Sequence, residues 1–280
     1  MAVRIVTDST ADLPPETARE LGVSVVPLTV NFGEESFLEG IDMSTELFYE
    51  RLVESKELPK TAAPSMGQFI EAYENALKEA DEIVSIHISS KLSATHNNAV
   101  QAANQLADTG AKVEVVDSGL VSLGLGLVVQ AAARAAQQGG TLEEVKKLVE
   151  EMIPRVHILV ALNTVEYLRR GGRIGRARAF LGSVLAVKPL LSIRDGEVMP
   201  EERVRTKKVA HERLFQIATS YPNIVEFAIA YSTNASDAEA LRAKLAEAEP
   251  QARISMSKVG PVIGVHGGPG VLGVGILQGE

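Results

Sequence analysis

Hydrophobic and polar positions alternate in short blocks along the first half of the chain. Runs of apolar residues with the length of buried strands occur at 3–6, 23–30, 83–88 and 113–116. Between them, apolar residues recur at helical spacing, as in 46–54 and 68–80. Strands that alternate with helices are typical of a mainly parallel sheet covered by crossover helices.

The second half has a different pattern. Apolar runs at 190–193 and 198–201 flank Asp195-Gly196, a dipeptide typical of a tight hairpin. Strands are also predicted at 158–162 and 225–231, helices at 206–219 and 237–246, and a strand-like, glycine-rich tail from Ile254. We therefore predict an α/β fold of two domains, 1–154 with a mainly parallel sheet and flanking helices, and 155–280 with a mixed or antiparallel sheet and helices.

Composition adds one constraint on a binding pocket. Aromatic residues make up 4% of the 280 residues and Trp is absent, so the core is aliphatic. A pocket in such a core has alkyl walls, which suit an acyl chain better than a base or sugar that needs a stacking ring. An aliphatic core without a pocket would have the same composition.

Several classes of function are disfavoured by composition. The absence of Cys excludes disulfides and thiolate chemistry, and the five His residues lack metal-ligand spacing, so no metal or cofactor is predicted. A net charge of −8 argues against nucleic-acid binding. No secretory signal precedes the first strand, and the uncharged stretch 118–133 is too short to span a bilayer. We expect a cytoplasmic protein with no transmembrane segment.

Small polar residues cluster where the predicted strands end, at 7–9, 89–90 and 117–118. Ligands bind at this edge in open parallel sheets. Ser93 lies in the hydroxyl-rich segment 89–95, where it could bind an anion at a helix N-terminus or cap that helix. Thr61 could likewise be a binding residue, or it could cap the helix that is predicted from Ser65. Within each segment alone, capping is the simpler interpretation.

The C-terminal segment 260–270 places His266 among many glycines, where backbone can approach a ligand closely. Residues 268–273 also match the pattern G-x-G-x-x-G. We reject a dinucleotide site because Pro269 lies inside the match and no helix is predicted after it. His266 is therefore a candidate binding residue, with a purely structural role as the alternative.

The segment 166–178 concentrates positive charge in an acidic chain. Five Arg residues fall within 169–178, around a Gly-Gly pair. Guanidinium groups arranged in this way could bind phosphate or an acidic face of a partner, although a solvated charged loop would have the same sequence.

These segments together resemble the DegV family of bacterial fatty-acid-binding proteins over nearly the whole chain. The resemblance rests on six segments in the family's order: 7–13, 61–65, 88–95, 117–126, 167–174 and 260–270. Each segment is weakly specific, whereas their ordered combination is specific.

The resemblance implies that one long-chain fatty acid lies in a buried tunnel between the two domains. It implies that Thr61, Ser93 and His266 hold the carboxylate. It also implies a non-catalytic subunit that presents the fatty acid to a separate ATP-using fatty acid kinase, which makes an acyl phosphate for phospholipid synthesis. Arg170 and Arg173 fall in the segment implicated in docking that partner.

Two alternatives stay open on the sequence. The first is a stand-alone hydrolase or phosphotransferase that uses Ser93 and His266, with Asp8 or Asp117 as the acid, although no G-x-S-x-G elbow is present. The second is a regulator whose bound fatty acid only reports lipid status.

Overall fold

The computed structural model describes residues 2–55, 57–180 and 187–279. Its strands form three sheets. The first sheet has four parallel strands in the order β2-β1-β6-β7. These strands are β1 Val3–Asp8, β2 Ser24–Val26, β6 Glu82–His87 and β7 Lys112–Asp117.

The second sheet has six strands in the order β10-β9-β8-β13-β11-β12, antiparallel except for the parallel pair β11-β12. The strands are β8 Val156–Ala161, β9 Lys188–Arg194, β10 Glu197–Val204, β11 Ile224–Tyr231, β12 Arg253–Lys258 and β13 Leu272–Gln278. The predicted fold class, a parallel sheet with helices followed by a mixed sheet, is confirmed, and Asp195 and Gly196 form the predicted hairpin turn.

Ten helices connect the described strands. They are α1 Pro15–Glu20, α2 Thr45–Glu54, α3 Met66–Ala76, α4 Thr95–Ala107, α5 Leu123–Gln137, α6 Leu142–Met152, α7 Glu166–Arg170, α8 Lys207–Ala218, α9 Ala235–Ala248 and α10 Pro261–Gly267. Side-chain caps fix several starts, because Ser44, Ser65, Thr141 and Thr206 each accept a hydrogen bond from a backbone N–H of the first turn. None of the described helices has the length and apolar character needed to cross a membrane.

The prediction of one strand over 23–30 is wrong. The chain forms β2 and then β3 Thr29–Phe32, which belongs to a separate antiparallel sheet with β4 Glu35–Leu38 and β5 Lys60–Ala62. Pro27 lies between the two strands. Proline has no N–H to donate to a ladder, so the paired strand ends before it and the chain changes sheets.

The prediction of a continuous strand-like tail is also wrong, because α10 interrupts it between β12 and β13. Gly260 precedes the helix and Pro261 occupies its first position, where a missing N–H costs nothing. The helix packs against α2, α7, β3 and β5. Thus a segment from the C-terminal end of the chain completes the surroundings of the small sheet.

Helix α5 lies between the two large sheets. It contacts β1 on one side and β8, β11 and β13 on the other. Leu125, Val128 and Val129 are fully buried in an apolar cluster that includes residues of both sheets. The core between the sheets is therefore continuous, and the cavity described next opens within it.

Candidate functional site

A cavity of about 220 Å³ lies between the first sheet and the six-stranded sheet. Its walls are mostly aliphatic and come from both halves of the chain. Ile88 and Val121 follow strands of the first sheet, Leu123 begins α5, and Ile158 and Leu191 belong to the second sheet. Such walls favour an elongated or compact alkyl group over a polar ligand.

The polar wall of the cavity joins two residues far apart in sequence. Thr61 lies in β5 and His266 in α10, and the Thr61 Oγ1 to His266 Nε2 distance is 3.0 Å. Burial and the nearby positive charge of Arg173 lower the pKa of His266 to about 4. The imidazole is therefore neutral at pH 7 and has one N–H to donate.

The hydrogen-bond network assigns that proton to Nε2. His266 Nδ1 is buried and has no partner among the described groups, so a proton there would be an unsatisfied buried donor. With the proton on Nε2, the imidazole donates to Thr61 Oγ1. The Thr61 hydroxyl hydrogen is then free to donate to an acceptor in the cavity.

Gly171 is the backbone position against which His266 rests. A Cβ at Gly171 would lie 2.2 Å from His266 Nδ1, so only glycine fits without moving the imidazole. In the sequence, Gly171 is only one half of the Gly-Gly pair in the arginine-rich segment. Its contact with His266 depends on the meeting of α7 with α10, which no local pattern reveals.

Ser93 also lines the cavity. Its Oγ is 2.8 Å from Thr95 Oγ1 and accepts a hydrogen bond of 3.3 Å from the Thr95 N–H, at the start of α4. Ser93 therefore lies beside the start of α4, where Ala94 is the N-cap residue, and also lines the cavity.

Arg173 lines the cavity rather than projecting away from it. Its Nε donates to the Leu92 carbonyl at 3.2 Å and its Nη1 donates to the Gly171 carbonyl at 2.7 Å. These bonds hold the guanidinium near His266, and at the carbonyl of the residue that precedes Ser93. A fixed positive charge at this wall favours an anionic head group.

Arg170 differs from Arg173 because it is exposed. Arg169 and Arg170 both hydrogen bond to Glu166 within α7, and this lowers the pKa of Glu166 to about 2. Neither Arg169 nor Arg170 lines the cavity. Arg170 is thus accessible to a partner, whereas the cavity holds Arg173.

A Ser93–His266–Asp chain is not brought together among the described residues. Asp8 Oδ2 lies 2.9 Å from His87 Nδ1, and Asp117 Oδ1 accepts the backbone N–H groups of Ser90 and Gly119. Without a carboxylate at Nδ1, and with a low pKa, His266 is poorly suited to activate a serine.

A different Ser–His–Asp chain, which the sequence patterns do not predict, is present in the core. Ser85 Oγ is 2.7 Å from His87 Nε2, and Asp8 contacts the other ring nitrogen. All three side chains are fully buried, and the Ser85 hydroxyl accepts from Tyr73. The Ser85 hydroxyl is enclosed, so the chain of bonds stabilises the core and is inaccessible to a substrate.

Metal binding has no visible basis in the part of the chain that the structure describes. No group of three or more His, Asp or Glu side chains there is arranged to hold an ion. The cavity chemistry is therefore that of hydroxyls, a neutral imidazole and a guanidinium.

Comparisons by family model and by sequence identify the same family. A family model described as an uncharacterised protein of the DegV family matches residues 2–279. A DegV domain-containing protein from Streptomyces coelicolor is 40% identical over 276 residues, which are 97% of this chain and 97% of the relative.

Two solved structures are similar over nearly their whole length. A fatty-acid-binding DegV family protein from Thermus thermophilus is 34% identical with a TM-score of 0.92, over 99% of this chain and 100% of that one. DegV from Bacillus subtilis, described as a fatty acid binding protein, is 32% identical with a TM-score of 0.90, over 99% and 100% of the two chains.

Proposed function

The chain belongs to the DegV family, and from this premise we propose that it binds one long-chain fatty acid in a tunnel between domains 1–154 and 155–280. We further propose that it presents the carboxylate to a separate ATP-using fatty acid kinase and is not itself an enzyme. The single observation that carries the proposal is an aliphatic cavity lined by four polar side chains, Thr61, Ser93, Arg173 and His266, in which Thr61 contacts His266.

The tail supplies most of the expected affinity. Burial of each methylene contributes ~0.8 kcal/mol, so about fourteen of them contribute on the order of 10 kcal/mol before ordering costs. The aliphatic walls formed by residues such as Ile158, Leu191 and Val262 support this assignment. An alkyl tail needs no polar partner along its length, and few polar side chains interrupt these walls.

The head group needs donors because a buried carboxylate without them would be costly. The Ser93 and Thr61 hydroxyls and the Arg173 guanidinium can all donate. His266 supports Thr61 by donating to its oxygen. Each hydrogen bond to a charged group contributes roughly 1.5–3 kcal/mol. We therefore assign the carboxylate site to Thr61, Ser93 and His266, in which His266 acts through Thr61, with Arg173 as an additional partner.

Transfer to a kinase needs both a reachable carboxylate and a docking surface. The kinase would move the γ-phosphoryl group of ATP to a carboxylate oxygen, which gives an acyl phosphate and ADP. Arg170 is exposed near the wall that holds the donors, which fits a docking role. Arg173 is proposed for docking as well, although its position in the cavity gives it a second role.

Native mass spectrometry after mild purification tests the binding step. We expect a species heavier than the polypeptide by one fatty acid, and replacement of that mass after addition of excess deuterated palmitate. Protein that carries no fatty acid and does not take up palmitate would overturn the proposal.

The kinase step is tested with a fatty acid kinase subunit from the same organism, ATP and the loaded protein. Hydroxylamine traps acyl phosphate as the hydroxamate, and we expect the product only when both proteins are present. A loaded protein that gives no product with the kinase would instead support a lipid-sensing regulator. Product from this chain and ATP alone would establish a phosphotransferase.

A further inference from the structure

Helix α10 is held at its start by two buried carboxyl groups from the first half of the chain. Asp12 Oδ1 accepts the Gly260 N–H at 2.9 Å, and Glu39 Oε1 accepts the Val262 N–H at 2.8 Å. Asp12 is 9% exposed and Glu39 is 8% exposed. The same helix contributes His266 to the cavity wall. The two carboxyls therefore connect the first half of the chain to the helix that carries a proposed binding residue.

The two carboxyls are neighbours. A Cβ at Gly260 would lie 2.7 Å from Asp12 Oδ1 and 2.7 Å from Glu39 Oε1, so glycine is required for both to reach the helix. Glu39 Oε2 is buried and accepts no hydrogen bond from the described residues. The Ser9 hydroxyl approaches Glu39 but does not reach this oxygen.

Two adjacent buried carboxylates cannot both stay ionised without a large cost. Burial raises the pKa of Asp12 to about 7, against the opposing effects of its hydrogen bonds with the Ser122 hydroxyl and the Gly260 N–H. Burial and the nearby Asp12 raise the pKa of Glu39 to about 8. A retained proton gives Glu39 a hydroxyl donor that can turn toward the neighbouring carboxylate, which would satisfy the orphaned oxygen.

Other charged groups near the pair do not neutralise it. Asp8 adds negative charge and is bonded to His87, while Tyr49 donates to the Val259 carbonyl at 3.1 Å. Lys258 is paired with Glu46 on α2. A groove of about 650 Å³ connects the pair to the surface, and the remaining titratable groups lining it are Glu16, Arg19 and Tyr231.

We propose that Asp12 and Glu39, joined through a retained proton, hold α10 in place and so position His266, and that loss of the proton releases the helix and opens the cavity for ligand exchange. Val262, Ile263, His266 and Gly267 of α10 all line the cavity, so displacement of the helix removes one wall. The exchange step rests on the proposed fatty acid binding. The helix release does not.

The direction of the pH dependence follows from the raised pKa values of Asp12 and Glu39. A carboxyl that binds its proton more tightly in the closed state favours that state at low pH, and the preference is lost as pH rises to the raised pKa. Asp12 makes its contribution below about pH 7, so between about pH 7 and about pH 8 only Glu39 still changes the balance. The effect reaches at most about tenfold per pH unit for one proton.

Hydrogen exchange tests the release without any ligand. We expect the protection factors of the Gly260 and Val262 amides to fall by up to about tenfold from about pH 7 to about pH 8 and then to level off. Glu39→Gln keeps an oxygen for the Val262 N–H and supplies a permanent N–H donor, so its protection should not change across this range. Glu50→Gln, on the exposed face of α2, should behave as the unmodified protein.

Release of cis-parinaric acid to phosphatidylcholine vesicles tests the exchange step over the same range. We expect the dissociation rate to rise up to about tenfold in the unmodified protein and to stay constant in Glu39→Gln. If Glu39→Gln fails to fold, Asp12→Asn serves instead. Because Asp12 no longer raises the pKa of Glu39 in this variant, the fall in protection should occur at lower pH than in the unmodified protein.

Failures of the two proposals are distinguishable. Protein that binds no parinaric acid but shows the pH-dependent protection would contradict fatty acid binding, but not the release of α10 by Asp12 and Glu39. Protection that does not change with pH in the unmodified protein, or changes equally in Glu39→Gln, would overturn the proposed release of α10.

Discussion

The Thr61 hydroxyl and the His266 imidazole meet at 3.0 Å, although 205 positions separate them in sequence. Strand β5 supplies one and helix α10 the other. Each is an unremarkable residue in its own segment. Their contact creates a donor that points into an aliphatic cavity, which is the feature from which the proposed head-group binding follows.

Removal of the Thr61 hydroxyl should weaken fatty acid binding. Thr61→Val keeps the shape of the side chain but leaves His266 Nε2–H without its acceptor and the carboxylate without a donor. We expect the Kd for palmitate to rise by about ten- to a hundredfold, which corresponds to the loss of about 1.5–3 kcal/mol. Isothermal titration calorimetry measures this. Thr61→Ser retains the hydroxyl and should bind within about threefold of the unmodified protein, so equal losses in both variants would contradict the assignment.

A methyl group at Gly171 should displace His266. Its backbone is compatible with alanine, so the effect of Gly171→Ala arises from the 2.2 Å approach of the new Cβ to Nδ1. We expect a weaker Kd for palmitate, with a change in the His266 imidazole resonances measured by NMR. Gly172→Asn is the matched control, because asparagine tolerates the φ of +73° there and no atom lies within 4 Å of its Cβ. Equal effects of the two substitutions would indicate general loop damage.

Acid should destabilise the protein through His266. The pKa of this imidazole is lowered to about 4 in the folded state, so unfolding takes up a proton between about pH 6.5 and about pH 4. The stability that this group contributes is present above about pH 6.5 and is lost as pH falls, by on the order of 3 kcal/mol. Urea unfolding of the unmodified protein and of His266→Gln measures the difference. Parallel stability curves for the two proteins would show that His266 is not buried in its neutral form.

Substitution of Arg170 should reduce acyl phosphate formation with the kinase more than it weakens palmitate binding. It is exposed, pairs with Glu166 and lies outside the cavity, so Arg170→Ala should leave the Kd for palmitate unchanged and reduce acyl phosphate formation with the kinase. Arg242→Ala is the control, because Arg242 is also an exposed arginine paired with a glutamate on its own helix. Arg173→Ala should weaken both steps, since Arg173 lines the cavity. Loss of palmitate binding in Arg170→Ala would contradict a docking role.

Periodicity was sufficient to predict the two large sheets. Alternating strands and helices before residue 154 and the Asp195-Gly196 hairpin after it are local signals, because side-chain spacing and turn chemistry depend on neighbouring residues. The sequence does not predict the small sheet, because the apolar run 23–30 has the pattern of one strand although it includes β2 and the start of β3. The sequence does not predict helix α10 either, because a glycine-rich segment has little helical propensity, and the start of α10 depends on Asp12 and Glu39 from the other end of the chain.

The sequence by itself determined the kind of core, the fold class and, through an ordered set of segments, the candidates Thr61, Ser93 and His266. Only the tertiary structure decided that Thr61 and His266 touch, that Arg173 turns toward the cavity, and that Gly171 and Gly260 allow close approach. The reason is physical. Periodicity and turn preference are properties of short segments, whereas the protonation of His266, Asp12 and Glu39 depends on burial against residues that only folding brings near.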